Sequence, residues 1–245
     1  MQSRTSFFNG TLLRKNLTRF WPLWGMASFV GALFPLALVM ELLRNRHFEL
    51  TQIDLAGAYY SVASDVVPVL SLIYAVLCAM AVWNYLYGAR SVSMMHAMPI
   101  RREGLLATGF LSGMAMMLIP YGVTGGLCVL VSLVTGAFSL KALLVTVLVV
   151  LGESFFYFAT ATFAAFLTGN LFAMPAIYLV LHFLEVILDS LFSVLAQGFL
   201  TGVAGSYSGA LEWLSPTVYL ENTVWIDRVV EERLVNQDPY SSYYD

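Results

Sequence analysis

Five runs of apolar residues, approximately 20–43, 66–87, 105–134, 142–167 and 171–195, take up most of this chain. A bilayer's hydrocarbon core of about 30 Å is crossed by about 20 helical residues, and inside it every backbone N–H and C=O has to be paired within its own segment. Runs of this length therefore specify helices. The expected fold class is all-α, a polytopic membrane helical bundle of about five transmembrane helices. Composition points the same way: 59% of the 245 residues are hydrophobic and 11% are charged, with a mean hydropathy of +0.77. Soluble domains carry about 25% charged residues, and a water-soluble fold could not hide this much apolar surface. A net charge of −3 supplies no basic footprint, so no nucleic-acid partner is expected. Cys78 and Cys128 sit in different apolar runs with no metal-ligand spacing around them, and both read as small core residues.

The third run carries Pro120, Gly122, Gly125 and Gly126 in its middle. It is read as one span that is kinked, tilted or locally unwound, with a re-entrant pair as the alternative. The first run is far longer than the apolar part of a signal peptide, and a polar start precedes it, so it is read as a retained span. Ahead of it, Ser6 can cap a helix in which Phe7, Phe8, Leu12, Leu13, Leu17 and Phe20 recur near a helical turn. Arg14, Lys15 and Arg19 on that helix can reach phosphate headgroups, which predicts an N-terminal interfacial helix leading into the first span.

Lysine and arginine near span ends are retained on the cytoplasmic side. Arg4, Arg14, Lys15 and Arg19 precede the first span, and Arg90, Arg101 and Arg102 lie between the second and third. Those segments are expected in the cytoplasm. Residues 196–245 form an acidic tail that holds Glu212, Glu221, Asp227, Glu231, Glu232, Asp238 and Asp245 against Arg228 and Arg233. Five spans with a cytoplasmic N-terminus place this tail outside a cell membrane.

The segment 88–104 is expected to form a compact cytoplasmic elbow. Pro99 fixes φ and turns Met98 away from helix, so one short helical piece should end there and another begin with Ile100, Arg101, Arg102 and Glu103. Met94, Met95 and Met98 beside basic residues suit docking in a groove on a soluble partner. The alternative is an ordinary positive-inside loop.

The stretch MHAMPIRREGLLATGFLSG, with Met98, Pro99, Ile100, Arg101, Arg102, Glu103 and Leu106 in the matching positions, resembles the cytoplasmic loop joining the second and third spans of type-2 ABC exporter permeases. Gly104 and Ala107 depart from the larger residues usual there. The order of elements is also similar across most of residues 5–220. The resemblance implies a permease subunit with no enzymatic activity or cofactor of its own, an ABC ATPase subunit as partner, and a second permease chain in a homo- or heterodimer. It implies an ATPase-coupling role for Met94, Met95, Met98, Pro99, Ile100, Arg101, Arg102 and Glu103. The chain has no GxxxxGK[ST] phosphate loop, so ATP hydrolysis would reside in the partner. That family usually has six spans, and no sixth apolar run follows Leu195. Either the chain is a shortened member, or residues 195–220 re-enter the membrane, where Ser206, Ser208, Glu212 and Pro216 would be costly.

Ionisable residues inside spans are functional candidates because burying charge in lipid is expensive. Glu153 lies in the fourth run, and His182, Glu185 and Asp189 lie in the fifth at i, i+3 and i+7, on one helix face. The short connection Thr168–Gly169–Asn170 makes the two runs an antiparallel hairpin and sets Glu153 beside Glu185, with His182 one turn away. Such a polar seam could line a substrate or ion path, form a packing or dimer-interface cluster, or hold a metal. One histidine is thin support for the last, and no metal or catalytic residue is assigned. An intramembrane hydrolase or lipid-modifying enzyme built on this seam is a rival reading, though neither HExxH nor GxSxG is present. A non-transporting membrane sensor or scaffold is another.

Overall fold

The computed structural model describes residues 10–44, 59–60, 62, 66–88, 91–93, 97, 102–135 and 139–199, with residues 38, 41–44, 185, 186, 189 and 197 described in their backbone alone. Helices α1 (Gly10–Arg19) and α2 (Trp21–Arg44) come first. Helix α3 (Val67–Trp83) continues into a 3-10 turn over Asn84–Tyr87. Helices α4 (Arg102–Thr135), α5 (Leu140–Leu167) and α6 (Ala173–Phe199) follow. Among the described residues there is no strand. Three helical stretches there are long and apolar enough to cross a membrane: Val67–Tyr87, Arg102–Thr135 and Leu140–Leu167. A fourth is added if α1 and the first part of α2, bent by 64° at Phe20, act as one broken span. Such helices are compatible with a multi-pass membrane protein.

Helix α4 passes through Pro120 without a break and spans 34 residues. At 1.5 Å per residue it is about 51 Å long, well beyond a hydrocarbon core of about 30 Å. The proline forfeits one backbone hydrogen bond, a loss that neighbouring helices make tolerable in an apolar bundle. Pro120 is itself buried, and its carbonyl lies against Gly31 of α2.

Contacts between named residues give the topology. Helix α2 runs parallel to α4, since Asn16 just ahead of it donates to Ser112 at 3.0 Å, while Gly31 further along meets Thr124. Helix α3 is antiparallel to α4: Trp83 lies at Gly109, the Tyr74 hydroxyl donates to the Met116 carbonyl at 2.9 Å, and Ser71 bonds Tyr121. Helix α5 is antiparallel to α4 through Phe158 at Gly113 and parallel to α3 through Trp83 at Thr162 and Tyr87 at Ala165. Helix α6 returns antiparallel to α5. One end of this up-and-down bundle gathers α1, the ends of α3 and α5, and the starts of α4 and α6. Arg14, Lys15, Arg19 and Arg102 lie at this α1 end, and Lys141 at the far end.

The interior combines small side chains with a few large ones, among them Trp83, Phe158, Met116 and Met117. Ser71, Ala75, Cys78 and Ala79 of α3, Thr108, Gly109, Ser112 and Gly113 of α4, and Ser154, Ala161 and Ala165 of α5 are the small residues buried between the helices. Where lipid surrounds a bundle, close backbone approach and interhelical hydrogen bonds replace the hydrophobic effect as the cause of packing. Many other large apolar side chains point outward: Phe29 is 70% exposed, Leu148 66% and Val194 67%. In water such a surface would aggregate.

Candidate functional site

A polar layer crosses the bundle at mid-height. Ser71 of α3 and Tyr121 of α4 share a hydrogen bond, Tyr74 holds the Met116 carbonyl one turn away, and the Glu153 carboxyl of α5 lies close enough to Tyr121 to act on it electrostatically. Glu153 is fully buried. Its placement follows from the α4–α5 packing, because Phe158, five residues on, fills the space above Gly113 and fixes the rotation of α5.

His182 of α6 stands in a nest of rings. Tyr157 lies 5.0 Å from it, Phe183 5.5 Å and Phe156 6.3 Å, while Tyr178 stacks at 6.1 Å with an interplanar angle of 17°. Among the described residues its buried Nδ1 has no hydrogen-bond partner, nor do the Tyr178 hydroxyl and the Ser154 hydroxyl. Tyr157 is thus level with His182 along the α5–α6 hairpin, and Glu153, one turn further from the connection, is level with the α6 backbone around Glu185. Glu185 and Asp189 follow His182 on α6, but their side chains lie outside the described residues. Among the described residues no group of three or more His, Cys, Asp or Glu side chains could hold a metal ion.

Beyond Tyr121 toward the far end the helices separate around an apolar cavity of about 210 Å³ lined by Phe34, Tyr59, Tyr121, Gly122, Gly125 and Val147, among others. The Tyr59 hydroxyl closes one side by donating to the Cys128 carbonyl at 3.0 Å. A Cβ added at Gly122, Gly125 or Gly126 would meet nothing within 4 Å. A second cavity, of about 630 Å³ and with much more polar walls, opens at the α1 end between Asn16, Arg19, Asn84, Tyr87, Ser91 and Asn170.

The expected elbow begins beside this second cavity. Ser91–Ser93 are helical, Val92 N–H donates to the Gly88 carbonyl at 2.9 Å, and Ala97 N–H donates to the Ser93 carbonyl at 3.0 Å. Helix α4 starts at Arg102 with Glu103 in its first turn. Met94, Met95, Met98, Pro99, Ile100 and Arg101 lie outside the described residues.

Sequence reasoning missed Tyr121, on which Glu153 acts, its hydrogen-bond partner Ser71, and Asn84 and Asn170 as cavity walls. Asn84 inside the second apolar run and Asn170 in the Thr168–Gly169–Asn170 connection were the available signal. No family model matches the chain, and no curated protein or solved structure matches it either.

Proposed function

We propose that this chain is the membrane-spanning permease subunit of an ABC transporter, an exporter driven by a separate ATPase subunit. The observation that supports it most is the gathering at one end of the bundle of the basic helix α1, the helical start of the 88–104 segment and the first turn of α4. That end carries Arg14, Lys15, Arg19 and Arg102, so the positive-inside rule puts it in the cytoplasm, where an ATPase resides. On this reading α2, α3 with its 3-10 turn, α4, α5 and α6 are five spans, α1 lies along the interface, and residues 196–245 are outside. The family resemblance of Met98–Leu106 belongs to the same cytoplasmic face.

ATP hydrolysis in the partner pushes on the elbow around Pro99 and rocks the spans between two discrete arrangements. The far-end cavity, where α2, α4 and α5 stand apart, is the region with room for such movement. A second permease chain covers part of the exposed apolar surface and completes the path.

The test is association with an ABC ATPase subunit expressed together with this chain. Met98→Asp puts an unpaired charge into an apolar contact, at a cost of several kcal/mol, and is expected to abolish co-purification while the chain still reaches the membrane. Arg101→Ala and Arg102→Ala are expected to do less, since rim charges mainly tune association rate and salt dependence. Unchanged association and ATP-driven transport in Met98→Asp would remove the coupling role.

A further inference from the structure

The polar cavity at the α1 end has features that neither the packing of the bundle nor an ATPase contact accounts for. Arg19 is the one charged side chain among its described lining residues, and no described carboxylate faces it. Asparagines reach it from three separate segments, Asn16 on α1, Asn84 in the 3-10 turn and Asn170 in the α5–α6 connection. Their positions are held by the frame around them. Asn16 donates to Ser112 at 3.0 Å, the Tyr87 hydroxyl donates to the Ala165 carbonyl at 3.1 Å, and Asn170 caps the turn by accepting from Phe172 N–H at 2.9 Å.

One positive charge ringed by neutral hydrogen-bonding groups complements a single anion. The remaining wall is apolar, made by Phe20, Val82, Leu171 and Phe172, and Phe172 is 85% exposed. A small inorganic anion has no use for that wall, whereas a lipid presents a phosphate followed by a glycerol and its first methylenes. The volume of about 630 Å³ also suits a headgroup. Depth agrees: Trp21, Trp24, Tyr85 and Tyr87 surround this level, and tryptophan and tyrosine prefer the headgroup region of a bilayer. Helix α1 is bent by 64° from α2 at Phe20, and Asn16 and Arg19 of α1 line the cavity.

We propose that this cavity binds the phosphate of one anionic phospholipid headgroup, with Arg19 as the charge partner and Asn16, Asn84 and Asn170 as orienting groups. The inference rests on the helices being membrane spans and is independent of coupling to an ATPase, so it stands or falls without regard to Met98→Asp.

The test uses the full chain in detergent, titrated with short-chain phosphatidylglycerol, short-chain phosphatidylcholine and glycerol phosphate, with bound adducts read by native mass spectrometry. Phosphatidylglycerol is expected to bind at one site, more tightly than phosphatidylcholine, and glycerol phosphate to bind far more weakly. Arg19→Gln is expected to weaken phosphatidylglycerol by about fivefold or more, the size of one cation's contribution near a membrane surface. Arg14→Gln, which removes the same charge from an exposed position outside the cavity, is expected to change it by less than about twofold. Asn84→Ala, at an exposed site that leaves the core untouched, is expected to weaken it measurably as well. Equal losses in Arg14→Gln and Arg19→Gln would mean diffuse attraction and overturn the site. Equal affinity for phosphatidylcholine would overturn the anionic preference, and equal affinity for glycerol phosphate would make it a site for soluble phosphate.

Discussion

The two halves of α4, before and after Pro120, are packed in opposite ways. In the first half glycines are filled: the Trp83 ring sits where a Cβ on Gly109 would come within 2.8 Å of it, and the Phe158 ring occupies the space above Gly113. Met116 and Met117 are fully buried beside them. In the second half Gly122, Gly125 and Gly126 face open space, and the neighbouring cavity has apolar walls. Glycine thus serves two ends within one helix. Four residues apart on a buried face it lets an aromatic ring close the gap between helices, and on the open side it removes side chains from a gap that remains.

The largest effect expected from this contrast is at Trp83, which is fully buried and donates through Nε1 to the Thr162 hydroxyl at 3.3 Å. Trp83→Ala leaves a cavity among Gly109, Phe166 and Tyr85 and is expected to cost about 3–5 kcal/mol in unfolding of the detergent-solubilised chain. Gly113→Val follows, with an expected loss of about 1–3 kcal/mol from overpacking against Phe158. Combining it with Phe158→Ala should recover part of that loss, and strict additivity in the double-mutant cycle would show that the ring and the glycine do not share a contact. Smallest of all, Gly122→Ala and Gly125→Ala are expected to be neutral or to add up to about 1 kcal/mol through helix propensity. A cost at Gly125 matching that at Gly113 would erase the distinction between the halves.

The helical class and the long apolar helices were legible because pairing backbone groups in lipid is a rule of length, and length is read directly from the sequence. What surrounds Pro120 was not. Pro120, Gly122, Gly125 and Gly126, read from the sequence as one span that is kinked, tilted or locally unwound, lie in one continuous helix in which Pro120 is buried and its carbonyl lies against Gly31 of α2. Nor could the sequence separate the filled glycines from the open ones, since the difference lies in Trp83 and Phe158 on other helices. Glu153 stood out as an ionisable residue in an apolar run. Tyr121, on which its carboxyl acts electrostatically, did not, because the register between α4 and α5 has no local signature. His182 was singled out for its charge chemistry, and the structure surrounds it with four aromatic rings. The polar cavity draws on α1, the 3-10 turn, Ser91 and the α5–α6 connection, which are too far apart in sequence to form a motif.

On the proposed function, ATP hydrolysis in a partner subunit moves the open half of this bundle about the packed half. The most direct measurement is the distance between spin labels across each half, in the complex that the proposal expects this chain to form with an ATPase subunit, without nucleotide and with ATP trapped by vanadate. Labels at Phe34 and Val147 span the far-end cavity, and labels at Leu106 and Phe163 lie on exposed positions of the packed half. The Phe34–Val147 distance is expected to change between the two conditions while the Leu106–Phe163 distance stays fixed. A Phe34–Val147 distance that does not respond to nucleotide, or one that changes only together with Leu106–Phe163, would contradict the claim.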